Sequence, residues 1–256
     1  MKIVGYKWRM YHILKKDPVL ASALPETRLW SEMNLWDMLK RYGTVILKPS
    51  KGSTGYGIIQ VSQKGKELFE IHTMSEKRLV RGKKAASQMI QKQIQNAESK
   101  YLIQQRIPLA EINGRPIDIR VMVQRRKDTP WIVTGYLAKV AGKGYIITNV
   151  ARSKGSVLPV QQAIPLSTAR KVSSEKVIKN LCDISLRAAK RYGFSPRYTI
   201  LGFDIGVDHQ GKVWIIEANA RPALSLFLKL KDKSMYRKII SYRTSPENQS
   251  KQNQTG

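Results

Sequence analysis

Three groups of residues have the types and spacing needed for phosphate chemistry. The first is ILKPSKGSTGYGIIQV at 46–61, in which Lys48 ends an apolar run and a glycine-rich loop follows. A lysine ammonium and the exposed backbone N–H groups of a glycine loop can both bind phosphate oxygens. The order excludes two common motifs, because a Walker loop places its lysine after the glycines and a dinucleotide fingerprint opens a helix. A strand–loop–strand hairpin over a phosphate chain remains, beside the alternative of a plain hairpin turn with a surface lysine.

The second group is LGFDIGVDHQGKVWIIEANARP at 201–222. Glu217 and Asn219 are two residues apart and therefore share one face of a strand, and a turn at HQGK brings Asp204 alongside them. Two carboxylates and one amide oxygen form the oxygen-only set that Mg²⁺ prefers. We predict that Asp204, Glu217 and Asn219 are metal ligands. The alternative, a surface hairpin with incidental acids, is disfavoured in a chain with so few acidic residues.

The third group is RPIDIRVMV at 115–123, where Asp118 and Arg120 alternate with apolar residues. This alternation places both charged side chains on one face of a strand whose other face is apolar. An arginine in that position can stabilise charge on a transferring phosphoryl group or on an acyl phosphate. A cross-strand ion pair is the alternative interpretation.

The elements around these groups predict an α+β protein with mixed, largely antiparallel strands. Residues 8–42 are predicted to be mostly helical, ending at Gly43, and GKKAASQMIQKQIQNAESK is predicted to form a second helix. The strands predicted in the first half are TVILKP, GIIQV, ELFEIHT and YLIQQRI. This order lacks the strict βαβ alternation of a doubly wound nucleotide-binding fold.

In the second half, strands are predicted at IDIRVMVQR, WIVTGYLAKV, YIITNV, YTILGFDIGVD and KVWIIEAN. A loop is predicted at 152–166 and a long helix at 167–192, which ends at a glycine and contains Cys182 among apolar neighbours. The polar end of the chain, 241–256, is predicted to be a disordered tail.

Composition narrows the classes of protein. The 256 residues are 42% hydrophobic, which suffices for one core or two joined lobes. A single cysteine excludes an internal disulfide framework and a cysteine-based zinc site, and three histidines disfavour a histidine-rich metal site. A reducing compartment such as the cytoplasm fits this cysteine usage. No apolar run is long enough to span a membrane, and the N-terminus does not have the pattern of a signal peptide.

The net charge is strongly positive. Lysine and arginine total 46 against 18 acidic residues, a formal net charge of +28, and basic clusters occur at 77–84, 124–127 and 229–238. Such an excess indicates an acidic partner, which can be a nucleotide, a nucleic acid, an acidic peptide or an anionic polymer. The alternative is a merely solvated basic surface, and charge alone does not choose between them.

In this order, the three groups resemble the ATP-grasp superfamily. Their amino-acid sequences are most similar to the motifs of the YheC/YheD family of endospore coat-associated ATP-grasp proteins. The resemblance covers residues 24–224. The stretches that carry it are LPETRLW, VILKPSKGSTGYGI, YLIQQRI, GRPIDIRVMVQ, TNVARSKGSVLPV and LGFDIGVDHQGKVWIIEANARPAL.

The resemblance implies a fold in which two α+β lobes hold ATP between them. It implies that Lys48 contacts the α- and β-phosphates, that the loop from Ser50 to Gly57 covers the phosphate chain, and that the strand IQQRI is a hinge reading the adenine edge. The implied ATP-binding residues are Lys48, Ser50, Gly52, Ser53, Thr54, Gly55, Gly57, Gln104, Gln105, Arg106, Ile107, Asp118 and Asn149.

The resemblance also implies that Arg120 and Arg152 are catalytic, facing the γ-phosphate or an acyl phosphate, and that Asp204, Glu217 and Asn219 hold Mg²⁺. Gln105 departs from the acidic hinge residue of many superfamily members. Because few residues precede Lys48, we expect a reduced N-terminal domain and an acceptor site that is incomplete, differently built or supplied by a partner. The implied domains are a helical lead-in (1–43), a small lobe (44–107), a large lobe (108–240) and the tail (241–256).

The activity implied is that of an ATP- and Mg²⁺-dependent carboxylate–amine ligase, which forms an acyl phosphate on an acidic substrate and is linked to spore formation. One alternative is a non-catalytic ATP-binding, spore coat-associated protein that adheres to an anionic polymer. Another is a basic nucleic-acid binder, although the chain has no nucleic-acid recognition motif. The expected location is cytoplasmic or spore-associated.

Overall fold

Two antiparallel sheets carry the strands in a computed structural model of the chain. The residues described are 5–52, 55–74, 76–146, 148, 150–192 and 198–243, with only the backbone described at 151 and 152. Every strand pair found in them is antiparallel. The predicted α+β fold with largely antiparallel strands is therefore confirmed.

The first sheet is formed from the N-terminal half of the chain. Its strands are β1 (Thr27–Leu29), β2 (Thr44–Pro49), β3 (Ile59–Gln63), β4 (Leu68–Thr73), β5 (Glu76–Arg81) and β6 (Tyr101–Gln105). They lie in the order β1-β6-β2-β3-β4-β5. The helices of this half are α1 (Tyr6–Lys15), α2 (Pro18–Ser22), α3 (Glu32–Tyr42) and α4 (Lys83–Ile94).

Strand β2 directs its side chains alternately to the apolar core and to the opposite face of the sheet. Val45 and Leu47 are fully buried in a cluster with residues of α3 and α4. Ile46 and Lys48 alternate with them and therefore lie on the opposite face. The helix α3 that covers the core begins at Ser31, whose hydroxyl accepts from Asn34 N–H at 3.1 Å. It ends at Gly43, whose φ of 66° is the left-handed conformation that glycine adopts easily.

The second sheet is formed from the C-terminal half. Its strands are β7 (Glu111–Ile112), β8 (Arg115–Gln124), β9 (Ile132–Val140), β10 (Ser156–Leu158), β11 (Ile200–Val207) and β12 (Val213–Asn219). The order is β10-β9-β8-β11-β12, with β7 paired to one end of β8. The helices are α5 (Val150–Ser153), α6 (Val160–Leu166), α7 (Ser174–Tyr192) and α8 (Ser234–Ser241), and a 3-10 turn occupies Phe227–Lys229.

Strand β8 is buried on both faces. Ile117, Ile119 and Val121 belong to the large core that the sheet forms with α1, α6 and α7. On the other face, Met122 packs with Phe227 and with α8. Asp118 and Arg120 are on the same face as Met122, beyond the part that α8 covers. The sequence pattern in β8 therefore directs two charged side chains away from the large core.

One strand prediction and one loop prediction in the second half were wrong. YIITNV was predicted as a strand, but Tyr145, Ile146 and Thr148 lie outside any strand and Val150 begins α5. The edge of β9 pairs instead with β10, with Ser156 opposite Val140. The predicted loop at 152–166 accordingly contains β10 and α6. Pairing between β9 and β10 determines where the edge strand of this sheet lies, and short apolar runs in a sequence do not reveal such pairing.

Several boundaries also differ from the sequence prediction. The mostly helical region 8–42 contains β1, which forms because Thr27 pairs with Gln104 of β6. The basic cluster at 77–84 overlaps the unpredicted edge strand β5, which begins at Glu76. Helix α7 begins at Ser174 and not at 167. The predicted disordered tail begins at 241, but Ser241 is the last residue of α8, and the tail from 244 onward lies outside the described residues. The predicted lobe boundaries stay a prediction.

Candidate functional site

A cavity of about 380 Å³ lies between the two sheets. Both sheets contribute to its walls, which include most of the site residues predicted from the sequence. These are Lys48, Gly55, Gln104, Gln105, Arg106, Ile107, Asp118, Arg120, Asp204, Glu217 and Asn219. The fold therefore brings together residues that are up to 171 positions apart in the chain.

The charge of the walls is unbalanced. Six basic side chains line the cavity against three acidic ones, an excess of three positive charges. The basic residues are Lys7, Lys48, Arg106, Arg120, Lys139 and Arg221, and the acidic residues are Asp118, Asp204 and Glu217. A partly enclosed cavity with this excess favours an anionic ligand.

Lys48 ends β2 and is buried in the wall of the first sheet. Its Nζ donates to Gln104 Oε1 at 2.8 Å and to the carbonyl of Ile216 at 3.3 Å. Both partners are neutral, and no salt bridge of Lys48 is found among the described residues. Burial, with a smaller contribution from the nearby Lys7, lowers the pKa of Lys48 to about 8. Within the described part of the chain, this cation therefore has no bonded counter-ion.

Four charged residues form a network on the opposite sheet. Arg120 Nε donates to Asp204 Oδ1 at 2.8 Å, and its Nη2 to Oδ2 at 3.2 Å. Lys139 Nζ lies 2.9 Å from Asp204 Oδ1 and 2.9 Å from Asp118 Oδ1. The hydroxyl of Thr148 donates to the other oxygen of Asp118. The register explains these contacts, because Asp204 lies opposite Arg120 and Asp118 opposite Lys139.

The two aspartates titrate differently. Burial raises the pKa of Asp118, and the Lys139 charge only partly opposes this effect. Burial also acts to raise the pKa of Asp204, but the charges of Arg120 and Lys139 outweigh it and hold that pKa well below the usual range. Burial acts to lower the pKa of Lys139, and the two aspartates reverse this and raise it. Asp204 is therefore held as an anion by two cations.

The predicted metal ligands lie on adjacent strands. Asp204 of β11 pairs with Glu217 of β12, and Gly202 pairs with Asn219, so the three side chains share one sheet face. Glu217 Oε1 accepts from the hydroxyl of Tyr6 at 2.9 Å, and its Oε2 lies 3.7 Å from Lys7 Nζ. Glu217 thus faces the first turn of α1 as well as the cavity.

These residues fit Mg²⁺ by their chemistry, since they offer carboxylate and amide oxygens only. The Lys7 contact at 3.7 Å is longer than a hydrogen bond, so it does not occupy Glu217 Oε2. Asp204 Oδ2 accepts only one of the contacts described above, and a carboxylate oxygen has two lone pairs. The described residues contain no cluster of three or more histidine, cysteine, aspartate or glutamate side chains suited to a metal ion, so the amide of Asn219 is needed to complete a set of three.

The glycine-rich loop joins β2 to β3, so a strand and not a helix follows it, as predicted. Gly52, Gly55 and Gly57 have φ values of 89°, 74° and 72°, which a residue with a side chain adopts only with strain. Tyr101 donates its hydroxyl hydrogen to the carbonyl of Gly57 at 3.0 Å. Ser50 at the start of the loop is fully buried. Ser53 and Thr54, predicted to bind ATP, lie outside the described residues.

The predicted hinge, IQQRI at 103–107, overlaps the end of β6. Gln104 of β6 links its two neighbouring strands in the first sheet, since it accepts from Lys48 of β2 and donates to Thr27 Oγ1 of β1 at 2.9 Å. Gln105 Oε1 accepts from the backbone N–H of Glu26 at 3.2 Å. Arg106 Nε donates to Gln60 Oε1 at 3.1 Å, and its Nη1 donates to the carbonyl of Ile107 at 2.9 Å. Burial lowers the pKa of Arg106. These hydrogen bonds hold in place the part of the cavity wall that Gln104, Gln105, Arg106 and Ile107 form.

Two further predicted site residues have limited placement. Asn149 lies outside the described residues. Arg152 has a described backbone within α5, at the end of the segment that also carries Thr148. Its predicted catalytic role stays a prediction.

Sequence reasoning missed three residues of the site. Lys139 stands in the strand WIVTGYLAKV, and a charged residue in so apolar a strand is a signal for a buried partner. Tyr6 and Lys7 lie more than 200 residues from Glu217 in the chain, and no local pattern indicates that contact. Only the packing of α1 onto α7 and β12 brings them there.

No helix in the described part of the chain combines the length and the apolar character that crossing a membrane requires.

Comparison with known proteins places this geometry in a family. A family model described as YheC/D-like ATP-grasp matches residues 2–245. The chain is 34% identical over 229 residues to the endospore coat-associated protein YheD of Bacillus subtilis (strain 168), which covers 86% of this chain and 49% of that protein. It is 22% identical over 236 residues to YheC of the same organism, covering 88% and 61% respectively. The chain thus spans about half the length of the first relative and about three fifths of the second.

A solved structure shares the fold. The biotin carboxylase domain of Hydrogenobacter thermophilus 2-oxoglutarate carboxylase, crystallised with MgADP, ADP and bicarbonate, matches with a TM-score of 0.57 at 16% identity. The match covers 93% of this chain and 45% of that one. Since the family model extends over nearly the whole sequence and the same fold is found in a solved structure, the resemblance expected from the sequence is confirmed: the chain belongs to the YheC/D-like ATP-grasp family.

Proposed function

We propose that this protein binds MgATP in the cavity between its sheets and uses it as a carboxylate–amine ligase acting on an acidic substrate. One observation carries the proposal: the buried cation Lys48, whose bonded partners are neutral, faces the oxygen ligands Asp204, Glu217 and Asn219 across one cavity. The excess of positive charge on the walls supports an anionic ligand. Family membership and the MgADP complex of the structural relative support ATP as that ligand.

The first sheet would bind the nucleotide. Lys48 would exchange its neutral partners for phosphate oxygens, which are stronger acceptors for an ammonium. The N–H groups of the glycine-rich loop would approach the same oxygens, because glycine leaves them unshielded. Ile46, Ile107 and Ile216 give the cavity apolar walls suited to the faces of a purine ring.

The second sheet would stabilise the reacting groups. Asp204, Glu217 and Asn219 would hold Mg²⁺, which supplies neutralisation of charge on the phosphate oxygens. Asp204 accepts from Nε and Nη2 of Arg120, and this leaves Nη1 of the guanidinium for a phosphoryl or acyl phosphate oxygen. Because Asp204, which also pairs with Lys139, fixes the arginine before any ligand binds, its orientation costs little at the moment of reaction.

The chemistry proposed has two transfers. A substrate carboxylate oxygen attacks the γ-phosphorus of ATP, the bond to the β–γ bridging oxygen breaks, and ADP leaves. The nitrogen of an amine then attacks the carbonyl carbon of the acyl phosphate, phosphate leaves with the electrons of the C–O bond, and the nitrogen gives its proton to solvent. Positioning and charge stabilisation by Lys48 and Arg120 suffice for both transfers.

The overall charge of +28 supports an acidic substrate or anionic polymer as the partner. The names of the curated relatives, both endospore coat-associated, support a spore-associated location. Two other functions are consistent with the same charge: a non-catalytic ATP-binding protein of the spore coat, and a nucleic-acid binder.

Thermal unfolding with and without ATP and Mg²⁺ tests binding. A ligand at about 100 times its Kd adds about 2.7 kcal/mol to the free energy of unfolding, which raises the unfolding midpoint by about 5–10 °C in a domain of this size. Glu217→Gln should reduce the shift in Mg²⁺, and Lys66→Met, a change at an exposed lysine outside the cavity, should not. No shift at saturating MgATP would contradict the proposal.

Release of ADP and phosphate tests catalysis. The protein is incubated with MgATP and a panel of amino acids and acidic peptides, and products are identified by mass spectrometry. A ligase releases ADP in proportion to a condensed product, and only when an acid and an amine are both present. ATP binding without turnover on any pair would favour the coat-associated binding protein. Tight, steeply salt-dependent binding of DNA or RNA that ignores ATP would favour the nucleic-acid binder.

A further inference from the structure

The first turn of α1 is fixed to the start of the glycine-rich loop. Gly5 N–H donates to Ser50 Oγ at 2.9 Å, and Lys7 N–H donates to the carbonyl of Ser50 at 3.3 Å. The backbones approach so closely that a Cβ on Gly5 would lie 2.1 Å from the Ser50 carbonyl oxygen. Only glycine therefore allows the two backbones to pack this closely, and the helix and the loop cannot move independently near Ser50.

The rest of α1 belongs to the other side of the cleft. Met10, Tyr11 and Leu14 are buried in the core of the second sheet, together with α7. The helix thus packs on one sheet with its body and on the loop of the other sheet with its first turn. Any group at this first turn that also reaches the metal ligands links the two sides directly.

Tyr6 is such a group. Its hydroxyl lies 2.7 Å from the carbonyl oxygen of Gly52 and 2.9 Å from Glu217 Oε1. Both neighbours are acceptors when Glu217 is ionised, whereas a phenol hydroxyl has a single hydrogen. The hydrogen is therefore shared or alternates between the loop and the carboxylate, and whatever occupies Glu217 decides how much of it the loop receives.

We propose that Tyr6 is a positioning residue that couples cation binding at Glu217 to the position of the glycine-rich loop; this rests on the proposed function, in which Glu217 is a metal ligand. A divalent cation at Glu217 draws on the lone pairs of the carboxylate and weakens it as an acceptor. The Tyr6 hydrogen then goes wholly to the Gly52 carbonyl, and the loop is held against α1. Metal binding on the second sheet thereby prepares the phosphate-binding loop of the first.

Hydrogen exchange of the loop measures this coupling without any nucleotide. Backbone amide exchange is followed by mass spectrometry on peptides that span Gly52 and Gly57, in EDTA and in excess Mg²⁺ alone. In the wild type, Mg²⁺ should slow exchange by about fivefold, the factor expected from one gained hydrogen bond. In Tyr6→Phe and in Glu217→Gln, Mg²⁺ should change loop exchange by less than about twofold.

Tyr101→Phe is the matched control. It also removes a phenol hydroxyl bonded to a loop carbonyl, that of Gly57, but Tyr101 has no contact with Glu217. Its loop should exchange faster throughout and still respond to Mg²⁺ like the wild type. Circular dichroism of each variant verifies the fold, and Tyr6→Phe deletes one oxygen only.

Two results would overturn the coupling: a wild-type loop that ignores Mg²⁺, or a response of wild-type size in Tyr6→Phe. Calorimetric titration of the same proteins with MgATP separates this from the proposed function. A Tyr6-dependent response without ATP binding keeps the coupling and removes the ATP function. ATP binding with a Tyr6-independent response does the reverse.

Discussion

The two sheets that enclose the cleft hold their buried charges in opposite ways. On the second sheet, Arg120 and Lys139 pair with Asp204, and Lys139 Nζ also lies within ion-pair distance of Asp118 Oδ1, so each of these cations has an anionic partner. On the first sheet, Lys48 donates to an amide and a carbonyl oxygen, so the hydrogen-bond partners of this buried cation are neutral.

This difference separates stability from binding. A network of buried ion pairs is held together by its own members before a ligand binds, and removing one member leaves a buried charge without its partner. A buried cation with neutral partners is less favourable on its own and gains most when an anion arrives. We therefore expect substitutions in the network to act mainly on the free energy of unfolding and substitutions at Lys48 mainly on ATP affinity.

Lys139→Met should give the largest effect. It leaves Asp118 and Asp204 buried without their shared cation, and breaking a buried pair in this way typically costs about 3–5 kcal/mol. Urea unfolding of the wild type and the variant measures the difference in the free energy of unfolding. The difference should shrink in acid: the stability that Asp204 contributes is present at neutral pH and is lost as the pH falls through its lowered folded-state pKa.

Lys179→Met is the matched control for that prediction. Lys179 forms an equally short pair with Asp183, with Nζ to Oδ2 at 2.7 Å, but both side chains are more than half exposed. Water solvates both charges in the absence of the partner, so we expect no measurable change in stability. If both substitutions had the same effect, burial of the network would not explain its importance.

Lys48→Met should weaken ATP binding by about 10- to 100-fold at pH 7, as expected for the loss of a charged hydrogen-bond donor. The pH profile carries the sharper test. Since the folded-state pKa of Lys48 is lowered to about 8, wild-type affinity should fall as the pH rises through that value. The variant has no ammonium at position 48 that could lose a proton in this range. Its affinity for ATP should therefore stay constant between pH 7.5 and about 9. Isothermal titration across this range measures both.

Lys66→Met serves as the control for Lys48→Met. It removes an exposed lysine from the turn between β3 and β4 of the first sheet. Its affinity for ATP should stay within about twofold of the wild type, since exposed charges act weakly at a distance in salt. A loss equal to that of Lys48→Met would mean that the overall charge, and not the cavity, controls ATP binding.

The sequence was most informative where short-range pattern and local turns decide the structure. Period-two alternation placed Asp118 and Arg120 on one face of a strand, and the glycine turn predicted the hairpin in which Asp204 lies opposite Glu217. The run IIQV after the glycines predicted a strand, and β3 is found there. These are contacts within about 15 residues in the chain or consequences of strand geometry.

Residues whose position depends on distant packing were not found from the sequence. The role of Tyr6 follows from a contact across 211 positions, and β1 exists only because β6 pairs with it. YIITNV has the composition of a strand, yet the segment instead brings Thr148 to Asp118. In each case a tertiary contact overrides local preference, and one sequence does not contain the information to identify it.

The smallest effect tests the comparison at the level of single hydroxyl groups. Ser50, directly after β2, is fully buried and accepts from Gly5 N–H, whereas Ser185 of α7 is fully buried with a hydroxyl that has no hydrogen-bond partner among the described residues. Ser50→Ala should lower the free energy of unfolding by about 1 kcal/mol, because it leaves a buried N–H unsatisfied. Ser185→Ala removes a buried polar group that gains nothing in the folded state, so stability should stay the same or rise. Urea unfolding of both variants measures their free energies of unfolding. Equal losses would mean that side-chain volume, and not hydrogen bonding, determines how Ser50 holds the start of the glycine-rich loop.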